Sequence, residues 1–369
     1  MIKNEPTFIS MNMEGPYNDL PLLPPPRAQV ETVAVLRQAN RAAAALGELK
    51  GLAQTLPNPN ILLNAVILKE AAASSEIENV ITTQDRLYQA LSLKNTDTDP
   101  ATKEVLRYRE ALMTGYRFLS EKGFLNTTAI VKIQQVLEEN SAGIRRLPGT
   151  ALRNALTGAV IYTPPDDYDT IMRLMKNLED YLHATDDLSP FIRLAVQHYQ
   201  FESIHPFYDG NGRTGRILNV LFLIMNDLLD KPVLYLSKFI IANKADYYRL
   251  LQEVRTHQNW EEWVLYICRG VEETALETIN QIRQINQLFN LTAEKIRTER
   301  PKIYRKDLVE LLFVQPYCRI DNVMEHLGVS RPTASRYLNE LSELGVLTTQ
   351  QVWKETLFVN EALLHALKA

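Results

Sequence analysis

Apolar positions recur at three- and four-residue spacing along most of this chain, the period of an amphipathic helix. Residues 30–56, 61–78, 83–93, 101–120 and 127–139 each read as helical, with Pro57 and Pro59 closing the first and a polar linker at 94–100. Residues 189–204 predict another helix: Ser189 suits an N-cap, and Pro190 suits the first helical position, where a missing N–H costs nothing. Ile192, Ala195, Val196 and Tyr199 mark its buried face. The period resumes over 213–229, 237–254 and 260–297.

Two stretches depart from it. Over 147–163, β-branched and aromatic residues surround Thr157-Gly158 and stop at Pro164-Pro165, which predicts a short hairpin. Over 345–359 the alternation predicts a two-stranded wing, after helices at 320–327 and 331–344 joined by Gly328-Val329-Ser330. The leader, residues 1–27, ends in prolines 24–26, which favour a polyproline segment expected to drape over its own domain. The expected fold class is mainly α, divided into 1–100, 101–298 and 299–369.

Candidate chemistry concentrates in residues 205–216, HPFYDGNGRTGR, between two predicted helices. A helix N-terminus presents N–H groups without intrahelical partners and a partial positive charge, and so binds anions. Gly210 and Gly212 would let backbone approach a phosphate closely. Arg213 and Arg216, three apart, would project from one helix face, and guanidiniums bind phosphate bidentately. Asp209 offers one hard oxygen ligand of the kind Mg²⁺ takes alongside water and phosphate. His205 leads the loop, and an unperturbed imidazole, with a pKa of about 6.5, suits a general base. Together these predict phosphoryl or nucleotidyl transfer to an alcohol.

The stretch resembles the Fic family signature, HxFx[DE]GNGRxxR, at every specified position. The resemblance implies a Fic helical core with a small β-hairpin flap, and transfer of AMP from ATP to a Ser, Thr or Tyr hydroxyl of a protein. It implies that His205 deprotonates that hydroxyl and Asp209 binds Mg²⁺. Gly210, Asn211, Gly212, Arg213, Thr214, Gly215 and Arg216 would hold the nucleotide phosphates. Tyr247 and Tyr248 match a tyrosine pair near the adenosine, and Arg255 stands where some relatives carry an asparagine. A kinase-like branch has lysine at the position of Gly212, so glycine there favours AMP transfer. The hairpin, roughly 157–163 with Val160, Ile161 and Tyr162, resembles the flap that docks an extended target segment by strand pairing. Upstream, Ser74, Glu78 and Asn79 resemble the inhibitory motif [ST]xxxE[GN]. That resemblance implies that Glu78 pairs with Arg216 and displaces the γ-phosphate. The same site run in reverse would remove AMP from a modified protein, and residues alone do not separate the two directions.

The C-terminal region resembles a winged helix-turn-helix, a fold that usually sets its second helix in the DNA major groove. From residue 301 onward eight Lys and Arg face eight Asp and Glu, so the basic footprint of a DNA binder is missing and DNA is not favoured. A nucleotide-sensing DNA-binding regulator stays as the reading from another class. The implied partners are ATP, a protein substrate with an exposed hydroxyl (the chain itself among the candidates), and a second copy as a homodimer. A net charge of −4 gives no electrostatic case for an anionic membrane. Cys268 and Cys318 show no metal or redox spacing, the start lacks a signal-peptide pattern, and no apolar run reaches spanning length. A cytoplasmic location is expected.

Overall fold

A computed structural model describes residues 15–92, 98–153, 157–352 and 355–368. In chain order its helices are α1 (Arg27–Val30), α2 (Val33–Ala53), α3 (Asn60–Ile77), α4 (Gln84–Ser92), α5 (Pro100–Lys122), α6 (Thr127–Glu138), α7 (Tyr168–Leu182), α8 (Pro190–Ile204), α9 (Asn211–Met225), α10 (Leu236–Ala242), α11 (Lys244–His257), α12 (Trp260–Glu299), α13 (Lys306–Val314), α14 (Ile320–Leu327), α15 (Arg331–Glu343) and α16 (Glu361–Lys368). Its strands are β1 (Leu152–Arg153), β2 (Val160–Tyr162), β3 (Tyr317–Cys318), β4 (Thr348–Val352) and β5 (Glu355–Val359). The chain is mainly helical, as its periodicity predicts. Most of the expected 94–100 linker (94–97) and part of the expected 147–163 hairpin (154–156) lie outside the described set.

Two compact units emerge. The first takes residues 15–44, 107–153, 157–228 and 239–272, and the second takes 45–92, 98–106, 229–238, 273–352 and 355–368. The first is built on α8, which packs against α7 and α9 while α6 also packs on α9. Fourteen of the fifteen residues of α8 are buried, so a single apolar face was too narrow an expectation. Several of its buried polar side chains are held by specific partners. Arg193 donates to the Tyr181 and Leu182 carbonyls at the end of α7 (2.8 and 3.0 Å), and Gln197 donates to Asn219 of α9 (2.6 Å). Gln200 donates to the Pro21 carbonyl (2.9 Å). The described part of the leader does lie on its own unit: Leu20 and Leu23 are buried, and the Asn177 amide takes both the N–H and the carbonyl of Leu23. Beside it, β1 and β2 pair antiparallel.

In the second unit α3 packs on α4 and α13. Its buried Glu70 accepts from both the N–H and the hydroxyl of Ser237. The C-terminal elements run α13, β3, α14, α15, β4, β5, and the strands form an antiparallel sheet in the order β3-β5-β4. Gly328 makes the turn between α14 and α15 at φ +64°, and the buried faces of α14, α15 and β5 supply apolar residues such as Val323, Leu338 and Leu357. Residues 237–254, expected as one helix, break at Asn243. Among the described residues no helix is long and apolar enough to cross a membrane. Burial pushes both free thiols, Cys268 and Cys318, up to about 12, so neither is a ready nucleophile.

Candidate active site

α8 ends on His205, whose backbone is left-handed at φ 49°, and whose N–H bonds to the Phe201 carbonyl (3.0 Å). A non-glycine residue holds that conformation only under constraint from its surroundings. Arg145 supplies the constraint. Fully buried, it donates through Nε to the His205 carbonyl (2.8 Å) and through a terminal nitrogen to the carbonyls of Ile204 and Pro165. Its own N–H donates to the Pro206 carbonyl (2.9 Å). Burial holds its guanidinium below the usual arginine range. One residue on, the Tyr208 hydroxyl receives the N–H groups of Arg146 and Leu147 (3.0 and 3.2 Å), which lower its pKa.

Asn211 closes the loop. Its side chain donates to the Phe207 carbonyl and accepts the Phe207 N–H, both at 2.8 Å. The side chain is therefore spent on loop geometry, and what Asn211 has for a ligand is its backbone N–H. Gly210 is the N-cap of α9 at φ 76°, and the helix begins at Asn211, two residues earlier than periodicity predicts. The Thr214 N–H makes the bond back to Gly210 (2.9 Å), so the N–H groups of residues 211–213 precede the intrahelical ladder at the positive end of the helix.

Gly210, whose φ of +76° already disfavours other residues, and Gly215 both pack closely against acidic side chains. A Cβ on Gly210 would sit 2.4 Å from Glu138 Oε1, and one on Gly215 would sit 2.4 Å from Glu202 Oε1. Two carboxylates thus back the turn. Arg213, buried, donates to Glu138 at 2.8 Å. Arg216, also buried, lies close enough to His198 to act with burial in pushing that imidazole down to about 3. His198 is consequently neutral, stacked on Trp263 and hydrogen-bonded to the Tyr247 hydroxyl (3.0 Å). Asp209 is exposed at the head of α9, its Oδ1 accepting the Gly210 N–H (2.7 Å), while Gln134 of α6 donates to its carbonyl (3.3 Å).

Several expected contacts change role. Thr214 and Gly215 are buried against α8 rather than turned to a ligand, because the second face of α9 packs inward. Tyr247 is 2% exposed inside the cluster of His198, Trp263 and Tyr266, whereas Tyr248 is 44% exposed. Only the second tyrosine of the pair presents a ring. In the hairpin Ile161 is exposed and Val160 half-buried, but Tyr162 points inward, donating to the Ser203 carbonyl (2.7 Å) beneath the Arg255 guanidinium. Any docking by Tyr162 would therefore use its backbone.

In the second unit, Ser74 is buried near the end of α3, and Glu78 is the C-cap. Asn79 is left-handed at φ 65°; its N–H bonds to the Glu76 carbonyl (2.9 Å), and the Val80 N–H bonds to that of Ser75 (3.0 Å). This is the Schellman pattern, and it explains the motif's final [GN]: glycine and asparagine are the residues that take the left-handed position after a helix.

Nothing in the sequence singled out Arg145, Glu138 or Glu202. Arg145 works on backbone carbonyls, which leave no mark in the letters, and the two acids sit at positions of ordinary surface charge.

With this geometry in view, three family models match: the Fic/DOC family N-terminal region over residues 36–117, the Fic/DOC family over 124–223, and the C-terminal domain of SoFic-like protein adenylyltransferase over 288–363. A probable protein adenylyltransferase of Aquifex aeolicus is 24% identical over 301 residues, covering 79% of this chain and 85% of that protein. A protein adenylyltransferase of Caenorhabditis elegans is 27% identical over 43% of this chain, an alignment that spans only 29% of the relative. The crystal structure of a Fic family protein from Desulfovibrio desulfuricans superposes with a TM-score of 0.59 over 89% of this chain and 96% of that one; at 20% identity it shows a common fold.

Proposed function

This chain belongs to the Fic/DOC family, and from that premise we propose that it is a protein adenylyltransferase, moving AMP from ATP to a protein hydroxyl. The observation that carries the reading is the built turn at 205–211, where Arg145 fixes His205 and Asn211 fixes the head of α9. The helix end and Arg213 hold the triphosphate, with Arg216 behind them, and the exposed Tyr248 offers a face to the adenine. His205 takes the proton of the Ser, Thr or Tyr hydroxyl. Its oxygen bonds to the α-phosphorus as the bond from that phosphorus to the bridging oxygen breaks, and pyrophosphate leaves. Positioning and charge stabilisation supply most of the rate.

Asp209 fits a Mg²⁺ that arrives with the nucleotide: it is an exposed single carboxylate beside an anion site, and among the described residues no cluster of three or more His, Cys, Asp or Glu could hold a metal unaided. When bound, the ion would neutralise phosphate charge. Glu78, fixed by the Schellman turn, would restrain the reaction by competing for Arg216. The β1–β2 hairpin would dock the target by strand pairing.

The module from α13 to β5 follows a winged-helix order, and we assign it protein contact rather than DNA. Arg331 and Arg336 of α15 face Asp321 (2.9 Å) and Glu340 (3.8 Å), so the small basic patch is already neutralised. The deciding experiment incubates wild type, Glu78→Gly and His205→Ala with Mg²⁺ and ATP labelled at the α- or the γ-phosphate. α-label on protein, strongest in Glu78→Gly and absent in His205→Ala, is expected; γ-label would overturn the reading.

A further inference from the structure

A polar cavity of about 180 Å³ lies wholly within the second unit, lined among others by Lys69 of α3, Tyr235, Lys238, and Glu277, Asn280 and Gln284 of α12. Lys69 is only 9% exposed, so its stem is packed into the unit while its ammonium borders the cavity. Buried cations elsewhere in the molecule end on acceptors: Arg193 on two carbonyls, Arg145 on three, Arg213 on Glu138. Lys69 takes no such partner among the described residues. The lining carboxylate, Glu277, is already 2.9 Å from Lys238. The neighbouring acid on α3, Glu70, is spent on the N–H and hydroxyl of Ser237. The walls therefore carry two ammoniums against one carboxylate. The Tyr235 hydroxyl, pushed up by burial and by Glu70, Glu76 and Glu277, stays a neutral donor.

We propose that this cavity is a binding site for a small tetrahedral oxyanion, held between Lys69 and Lys238 with neutral donors around it. The Lys69 ammonium, open to the cavity, has no hydrogen-bond or ion-pair partner among the described residues, and an oxyanion would supply one. Burial, and next Lys238, push Lys69 down to about 8, with Glu277 opposing. The sign follows. The folded chain holds this proton less tightly than the unfolded chain, so the Lys69 charge opposes folding below about pH 8. That opposition fades as pH rises from about 8 towards the ordinary lysine value of 10.5. An oxyanion reverses it, binding best where Lys69 is charged and about tenfold more weakly at pH 9 than at pH 7. The site stands on the second unit alone and does not depend on AMP transfer.

The test is competitive acylation of all lysines in the full chain across the pH range, read by peptide mass spectrometry, in sulfate, in phosphate and in chloride at matched ionic strength. In chloride Lys69 should titrate near 8, well apart from the surface lysines. Sulfate and phosphate should both raise that midpoint and cut Lys69 labelling at neutral pH by about tenfold, an effect that Lys238→Ala weakens. Lys69→Met should abolish the sulfate heat in calorimetry. Lys69 titrating with the surface lysines, or unmoved by either oxyanion, would overturn the proposal whatever the enzyme activity.

Discussion

Two helix ends in this molecule are made with the same device and put to opposite electrical use. α9 begins after a left-handed Gly210 and gathers N–H groups; α3 ends before a left-handed Asn79 and carries an acid, Glu78, at its cap. The difference lies in what stands behind each turn. At Gly210 a left-handed backbone and the Glu138 carboxylate, in the space a side chain would enter, together favour glycine. At Asn79 the bonds that set the turn are local, from residues 79 and 80 to residues 76 and 75, so asparagine is enough. One turn is fixed by tertiary packing and the other by its own chain.

The two turns should respond differently to substitution. The largest effect is expected from His205→Ala, which should lower labelling from α-phosphate-labelled ATP by about 10²–10⁴-fold while leaving the unfolding midpoint nearly in place. Gly210→Ala should both stop labelling and cost about 2–4 kcal/mol in denaturant unfolding, because a strained φ and a steric conflict coincide. If that variant unfolds like wild type, the idea that Glu138 dictates the glycine is wrong. Glu78→Gly should leave α3 intact, since Asn79 keeps the turn, and raise the initial rate by roughly a hundredfold; an unchanged rate would remove Glu78 as the restraint. The smallest effect belongs to Asn79: Asn79→Ala should cost about 1 kcal/mol, and Asn79→Gly close to nothing, in the same unfolding assay.

The helical fold and the 205–216 loop were legible because both are written in side chains at fixed spacing. α8 was legible as a helix but not as the centre of its unit, because Arg193, Gln197, His198 and Glu202 read as surface letters while being buried. Their partners are carbonyls and distant side chains that periodicity does not register. For the same reason Thr214, Gly215 and Tyr247 were expected at a ligand and stand in the packing. The Glu78 motif was legible in its spacing, and the structure adds the reason for its last letter. Residue charge gave a neutral C-terminal module; the ion pairs of Arg331 and Arg336 show how that neutrality is arranged locally.

Glu138, packed behind the turn proposed to receive a triphosphate, would bear on turnover as well as on binding. A cradle built only of cations and N–H groups would hold pyrophosphate as firmly as it held the substrate. Here Arg213 already shares its charge with Glu138 at 2.8 Å, so a departing anion leaves behind a guanidinium with a counter-ion in place. In the proposed reaction that counter-ion would ease the departure of pyrophosphate, and Glu138→Gln should slow release more than it slows the first bond-making step.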